Sequence, residues 1–324
     1  MKTSSDKLIR KIQQFGAKGS FILTLPKQWC QKYEINSQDE VIIHIDKYGA
    51  GSLFVSLADT EESSRTEVVE INYNEFEKNL SRAILSRFLD GSSTIKIFHV
   101  PLKKQMEVER EVEELITNKL HRCWLERGFM IQVSRDISHP KELIQDIFES
   151  VKGMIEYCID AVIKNDIKIA EEVIIKDNTV DKYYFYLVRT LKIILREPLT
   201  YMEYFNNEVF ALFDAMNYRM IGSYLENLAD VTEDLCRQIA DLTLRLQVDE
   251  VNRFKIISYD LLDIFVDSFT SFMTNNEETA IISVERAESM TFNIEDWNNY
   301  NKKIYYLLNE IKECVIDICQ LVSE

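Results

Sequence analysis

Turn-forming residues are scarce in this chain: only 8 Gly and 4 Pro occur in 324 residues. Both residues punctuate regular structure, so their shortage favours long helices joined by few turns. No apolar run of about 18 or more residues occurs, and no membrane span is expected. The N-terminus, MKTSSDKLIRKIQQFG, lacks the apolar core of a secretion signal, which points to a cytoplasmic protein. Six Cys are scattered without CxxC spacing, and four fall on apolar faces of helical segments. Reduced, buried thiols fit that pattern better than disulfides or zinc. The four His (His44, His99, His121 and His139) lie in separate segments, none at zinc-ligand spacing from another His or a Cys. There is no Ser-His-Asp constellation and no Gly-rich phosphate loop, so no catalytic residue is assigned and an enzyme is not expected. No organic cofactor is expected either.

What the chain does contain is charge, unevenly spread. Hydrophobic residues make up 46% and charged residues 28%, the balance of a soluble globular protein with room for two or three cores. The net charge is −16. Residues 1 to 35 nevertheless carry seven Lys/Arg against Asp6 and Glu34, and the rest of the chain carries 31 basic and 52 acidic residues. A basic head on an acidic body implies two kinds of partner. The body repels nucleic acid, so any DNA contact must come through the head.

Periodicity divides the chain into four parts. Residues 1–58 read as short strands with one helical turn: an apolar strand SFILTL, a short helix opened by Pro26, then VIIHI and LFVSL across a Gly-rich turn. Such a head buries little by itself, which favours dimerisation. Residues 59–68 are a polar linker. Residues 69–137 form a small α/β spacer read as β-α-β-α-β, with one helix spanning KQMEVEREVEELITNKLHRCW. Residues 138–324 are almost entirely helical. Two segments of this part, about 138–246 and 250–324, repeat one pattern of a helical hairpin plus a third helix, the right size to pair into one bundle. The first hairpin breaks at Asn165-Asp166 and the second at Asn275-Asn276.

Within 214–239, Leu225, Leu228, Val231 and Leu235 form an apolar stripe. Beside it stand Glu226 and Asp230, one turn apart and therefore on one face. Asp177 and Asp181 repeat that spacing on an earlier helix. Like charges so placed repel unless a cation sits between them. The spacing alone is also common on a solvated helix face. Oxygen ligands without His or Cys suit hard cations such as magnesium or manganese, with iron possible through carboxylates. The aromatics Tyr183 to Tyr186 and YMEYF at 201–205 are read as core packing rather than a ligand pocket.

Two resemblances add to this reading. The run RKIQQFGAKGSFILTLPKQWCQKYEINSQDEVIIHID resembles the SpoVT/AbrB swapped-hairpin domain. The resemblance implies an intertwined homodimer whose basic face docks on DNA, with Lys7, Arg10, Lys11, Lys18 and Lys27 as the DNA-facing positions. Cys30 and Gln31 stand where that family carries two arginines, and Glu34 where glycine is usual. A head that only dimerises therefore stays open beside one that binds DNA. The helical part, through KDNTVD and YLENLADVTEDL, resembles the PhoU family of phosphate-signalling proteins. That resemblance implies two packed three-helix repeats whose acidic pairs bind iron, zinc, manganese or magnesium. The pairs carried over are Asp177/Asp181 and Glu226/Asp230. The second repeat offers a looser set, Glu285, Glu288, Glu313 and Asp317. The combined expectation is a multi-domain phosphate uptake regulator: a β-rich swapped-hairpin head, an α/β spacer and an all-α bundle. Its implied partners are DNA, a second copy, and a phosphate transporter or sensor kinase.

Overall fold

The computed structural model describes residues 11, 13–15, 20–32, 34–37, 39–45, 53–57, 68–116, 120–125, 128–134, 137–196, 212–244, 246–297 and 301–322. The chain divides into two compact units, Met1–Arg65 and Thr66–Glu324.

In the first unit, β1 (Gln13–Phe15) pairs antiparallel with β2 (Ser20–Ile22). A one-and-a-half-turn helix, α1 (Lys27–Lys32), follows Pro26. Strands β3 (Val41–Ile45) and β4 (Leu53–Leu57) make a second antiparallel pair. Just past α1, the Ile35 amide donates back to the Cys30 carbonyl, and Glu34 takes a left-handed φ of 55°. That conformation is the usual way to close a helix C-terminus, and it normally falls to glycine. Lys11 and Lys27 are exposed. Lys7, Arg10 and Lys18 lie outside the described residues.

The second unit opens with an α/β layer. Its four-stranded sheet has the order β5 (Val68–Asn72), β6 (Thr94–Phe98), β8 (Gly128–Val133), β7 (Leu120–Leu125). β5 and β6 run parallel, and the other pairings are antiparallel. Between the strands lie α2 (Tyr73–Phe76), α3 (Leu80–Leu89) and α4 (Gln105–Leu115). The expected β-α-β-α-β order therefore gains a strand. The helix expected to run on through HRCW ends at Leu115, and Ile116 turns extended with φ −126° and ψ 144°. Residues 120–125 instead form an edge strand against β8. Sheet pairing and the tilted contact of Trp124 with Phe129, 4.6 Å between ring centres, outweigh a continuing helical pattern there. β5 also begins at Val68, inside the stretch read as linker.

The helical part follows: α5 (Pro140–Lys164), α6 (Ile167–Arg196), α7 (Leu212–Ala240), α8 (Val248–Thr274), α9 (Glu277–Ser289) and α10 (Lys302–Gln320). Leu143, Ile147, Val151, Met154, Ile155, Cys158 and Val162 form one buried stripe along α5. Helices α5, α6 and α7 pack on one another, as do α8, α9 and α10. The two sets meet where α7 lies on α10 and α5 on α8. Phe148 and Phe269 stack at 3.8 Å in the second of these seams. Both hairpins close by the same device. Asn165 and Asn275 adopt left-handed φ values of 48° and 51°. The next residue then caps the following helix: Asp166 accepts from the Lys168 amide and Asn276 from the Thr279 amide. A two-residue stop-and-start of this kind is why so few Gly and Pro suffice.

The long helix α6 also anchors the α/β layer. Arg189, 2% exposed, donates from Nη1 to the Phe88 carbonyl at 2.6 Å and lies over the Phe88 ring. Lys192 pairs with Asp90 at 2.9 Å, and Arg196 donates to the Asp90 carbonyl. Three cations thus meet the carbonyl end of α3, where a helix dipole favours positive charge. Gly91 releases the chain there with a φ of 92°.

Candidate metal centre

The centre arises where α6 crosses α7. On α6, the fully buried Ala170, Val173, Val180 and Leu187 define the inward face, and Asp177 sits in the middle of that face at 9% exposure. Asp181 follows one turn later. On α7, Leu225, Leu228 and Leu235 are fully buried and orient the helix. Glu226 and Asp230 then fall at the border of the apolar stripe, turned toward α6.

The two helices come close because Gly222 has no side chain. A Cβ at that position would stand 2.7 Å from Leu187 Cδ2 and 3.4 Å from Tyr184 Cδ2. About two turns along α7 from that close approach, acids from the two helices converge. Carboxylate oxygens of Asp177, Asp181 and Asp230 lie within 4.8 Å of one another. Asp177 Oδ1 is buried and has no hydrogen-bond partner among the described residues. A buried carboxylate oxygen without a donor is costly.

The electrostatics follow from that geometry. Burial, then repulsion from Asp181, Glu233, Asp230 and Glu226, pushes the Asp177 carboxyl up to about 7. Burial with Asp230 and Glu233 raises Asp181 to about 6. Burial with Asp230 and Asp181 raises Glu226 to about 7, opposed by Arg219. Asp230 is also raised, by burial and by Glu233 and Asp234. In each of these groups burial and neighbouring acids outweigh any nearby positive charge, the condition a bound cation would relieve.

The donor set fits a cation. Three converging carboxylates, one with an unsatisfied oxygen, supply hard anionic ligands at a spacing a single ion can bridge, and no sulfur or imidazole is among them. Asp177, Asp181 and Asp230 would hold it directly. Glu226 stands beside them, within Coulombic reach of Asp230 and Asp181 but outside the closest set. The looser residues are not gathered in this way. Glu285 and Glu288 are exposed on α9, and Glu313 is exposed on α10. Asp317 is half-buried near Tyr224. Among the described residues, the first set is the one grouping of three or more metal-ligating side chains.

Sequence reasoning overlooked Glu233. It lies three residues beyond Asp230 on the same face of α7, bonded to Arg237, and its charge reaches Asp177, Asp181 and Asp230. Its i+3 spacing from Asp230 was a readable signal.

Paired acids facing each other across two helices of a three-helix set define a carboxylate centre of a helical bundle. Residues 144–239 match the family model of the PhoU domain. The matched stretch holds every member of the centre, from Asp177 to Glu233, and suggests a role in regulating phosphate uptake. No curated protein matches the chain. Among the described residues, no helix is long and apolar enough to cross a membrane.

Proposed function

We propose that this chain is a non-enzymatic, homodimeric regulator of phosphate uptake. Its helical part, 138–324, binds a divalent or trivalent cation such as Mg, Mn, Fe or Zn between α6 and α7. Its head, 1–58, dimerises as a SpoVT/AbrB-like swapped hairpin and contacts DNA through Lys7, Arg10, Lys11, Lys18 and Lys27. The observation that carries the cation half is the convergence of Asp177, Asp181 and Asp230 around an oxygen without a donor, inside the stretch that matches the PhoU domain.

Two observations support a dimeric head. Among the described residues each of its sheets has two strands, and an isolated two-stranded sheet is marginal in water. Ile22 and Leu23 are 43% and 48% exposed, apolar surface that a second copy would cover. The left-handed Glu34 also sits at the position where the resemblance expects glycine.

A second reading keeps the dimer and drops the DNA. Cys30 and Gln31 occupy α1 where arginines would reach phosphates, and DNA affinity scales with the number of cations offered. On this reading the acidic body docks on a phosphate transporter or sensor kinase. A DNA-shift titration of the full chain at low salt separates the two. A salt-dependent shift, removed by Arg10→Glu with Lys11→Glu, supports the regulator that binds DNA. Absence of a shift at low salt leaves the protein-binding reading. Elemental analysis of the purified chain, with Asp177→Asn as control, tests the cation half.

A further inference from the structure

The carboxylates of α7 belong to a longer stripe. Arg219, Glu226, Asp230, Glu233 and Arg237 are spaced 7, 4, 3 and 4 residues apart. At about 100° per residue they fall within roughly 60° of one another around the helix, so one narrow face reads Arg-Glu-Asp-Glu-Arg. The face that approaches α6 therefore carries three acids with an arginine at each end.

The two arginines are not equivalent. Arg219 lies over the Tyr184 ring at 4.9 Å from its centre, engaged with an aromatic face of α6. Arg237 is bound to Glu233, one turn away. The Glu233 side chain is 17% exposed and that of Arg237 is 54% exposed. The acid is thus sunk at the rim of the centre, and the guanidinium covers it from the solvent side. Arg237 is also within Coulombic reach of Asp177. With the guanidinium more than half exposed, an i, i+4 pair of this kind contributes only modestly to stability. A rotamer change swings Arg237 into water, where its charge is fully hydrated.

We propose that Glu233 is a further ligand of the cation centre, and that Arg237 is the counter-ion it exchanges for a hard divalent cation. This assignment rests on the cation-site reading above. It goes beyond the pairs at four-residue spacing, because Glu233 belongs to neither pair. Arg237 quiets one acid beside the three converging carboxylates and leaves the buried Asp177 oxygen without a donor. A cation entering the centre competes with Arg237 for Glu233. The arginine then lowers affinity without touching the ion, and the glutamate raises it.

The test is a double-mutant cycle on the full chain, stripped of metal and titrated with Mn2+ by calorimetry, with the Mn2+ electron paramagnetic resonance signal reporting bound ion. Thermal melts of the stripped variants check folding. Glu233→Gln is expected to weaken Mn2+ binding by about tenfold or more. Arg237→Gln is expected to tighten it, and Arg237→Gln in the Glu233→Gln background is expected to change nothing. Two results would overturn the assignment while sparing the centre: Glu233→Gln binding Mn2+ as tightly as the parent while Asp177→Asn loses it, or Arg237→Gln acting equally in both backgrounds. Binding that survives Asp177→Asn, or a parent chain that takes up no Mn2+, brings down the cation-site reading and this assignment with it.

Discussion

Both three-helix sets carry more acids than bases, yet among the described residues only one gathers its acids. In the α5–α7 set, Asp177 sits on the buried face of α6 and meets Asp181 and Asp230. In the α8–α10 set, the corresponding face of α9 carries Ala280, Ser283 and Ala287, all buried, while Glu285 and Glu288 point outward. The acids of α10 find other partners. Glu310 accepts from the Asn227 amide of α7, and Asp317 lies near Tyr224. Burial raises Glu310 and Asp317 as well, but each is close to a polar neighbour from the other set. Acid content does not make a site. Acids converge where the core-facing register of a helix includes a carboxylate and nothing nearby satisfies it.

The strongest way to break this contrast is to measure cation binding in both sets. Asp177→Asn or Asp181→Asn should lower Mn2+ or Mg2+ affinity by at least about a hundredfold, above the loss typical of outer partners. Glu313→Gln with Asp317→Asn should leave it within about twofold of the parent. Calorimetric titration of metal-stripped protein reads both, and equal losses in the two sets would erase the distinction.

A second expected effect concerns the crossing that creates the centre. Gly222→Val places a branched side chain where a single Cβ already comes within 2.7 Å of Leu187. It should cost about 1–3 kcal/mol of stability by overpacking. It should also weaken cation binding, because α7 must move off α6. A chemical-denaturation midpoint and the same titration check the two parts separately.

The pH response sharpens the comparison further. Asp177 and Glu226 are raised to about 7 and Asp181 to about 6, well above an unfolded carboxyl near 4. The folded state therefore holds these protons more tightly than the unfolded chain. Their contribution to stability is complete below about pH 4 and is lost as pH rises through about 6 to 7. Metal-stripped protein should melt at a lower temperature at pH 8 than at pH 5.5. Added Mn2+ should reverse the trend, since it replaces the protons. Asp177→Asn should flatten the dependence and raise the melting temperature of the stripped protein at pH 8.

Much of the bundle was legible because its signals were redundant. The α5 stripe, the Asn165-Asp166 and Asn275-Asn276 breaks and the two acidic pairs each follow from residue type and period. The edge strand 120–125 was not legible, because HRCW is held extended by its partner strand and by Phe129 rather than by its own pattern. The centre was half legible. Spacing placed acids on one face, but it could not tell that α6 buries Asp177 while α9 exposes Glu285. That difference depends on which face of each helix its neighbours cover, and only the packed bundle shows it.

The smallest expected effect lies at a helix end. Leu242 closes α7 in a left-handed conformation, φ 56°, with Leu242 and Thr243 amides donating to the Ile239 and Gln238 carbonyls. Asparagine fills that conformation after α5 and α8, and leucine is poorly suited to it. Leu242 is also 63% exposed. Leu242→Gly should stabilise the chain by about 1 kcal/mol, measurable as a raised melting temperature with cation binding unchanged.

Helix α6 carries the acids in its middle and the Arg189 clamp three turns later. Twelve residues of helix separate Asp177 from Arg189, about 18 Å along the axis. A stiff beam held at two points acts as a lever. A tilt of about 5° at the acids would carry the guanidinium sideways by roughly 1.5 Å, half the length of its bond to the Phe88 carbonyl. Whatever changes the charge at the acids is mechanically in touch, through Arg189 and Phe88, with the C-terminal end of α3.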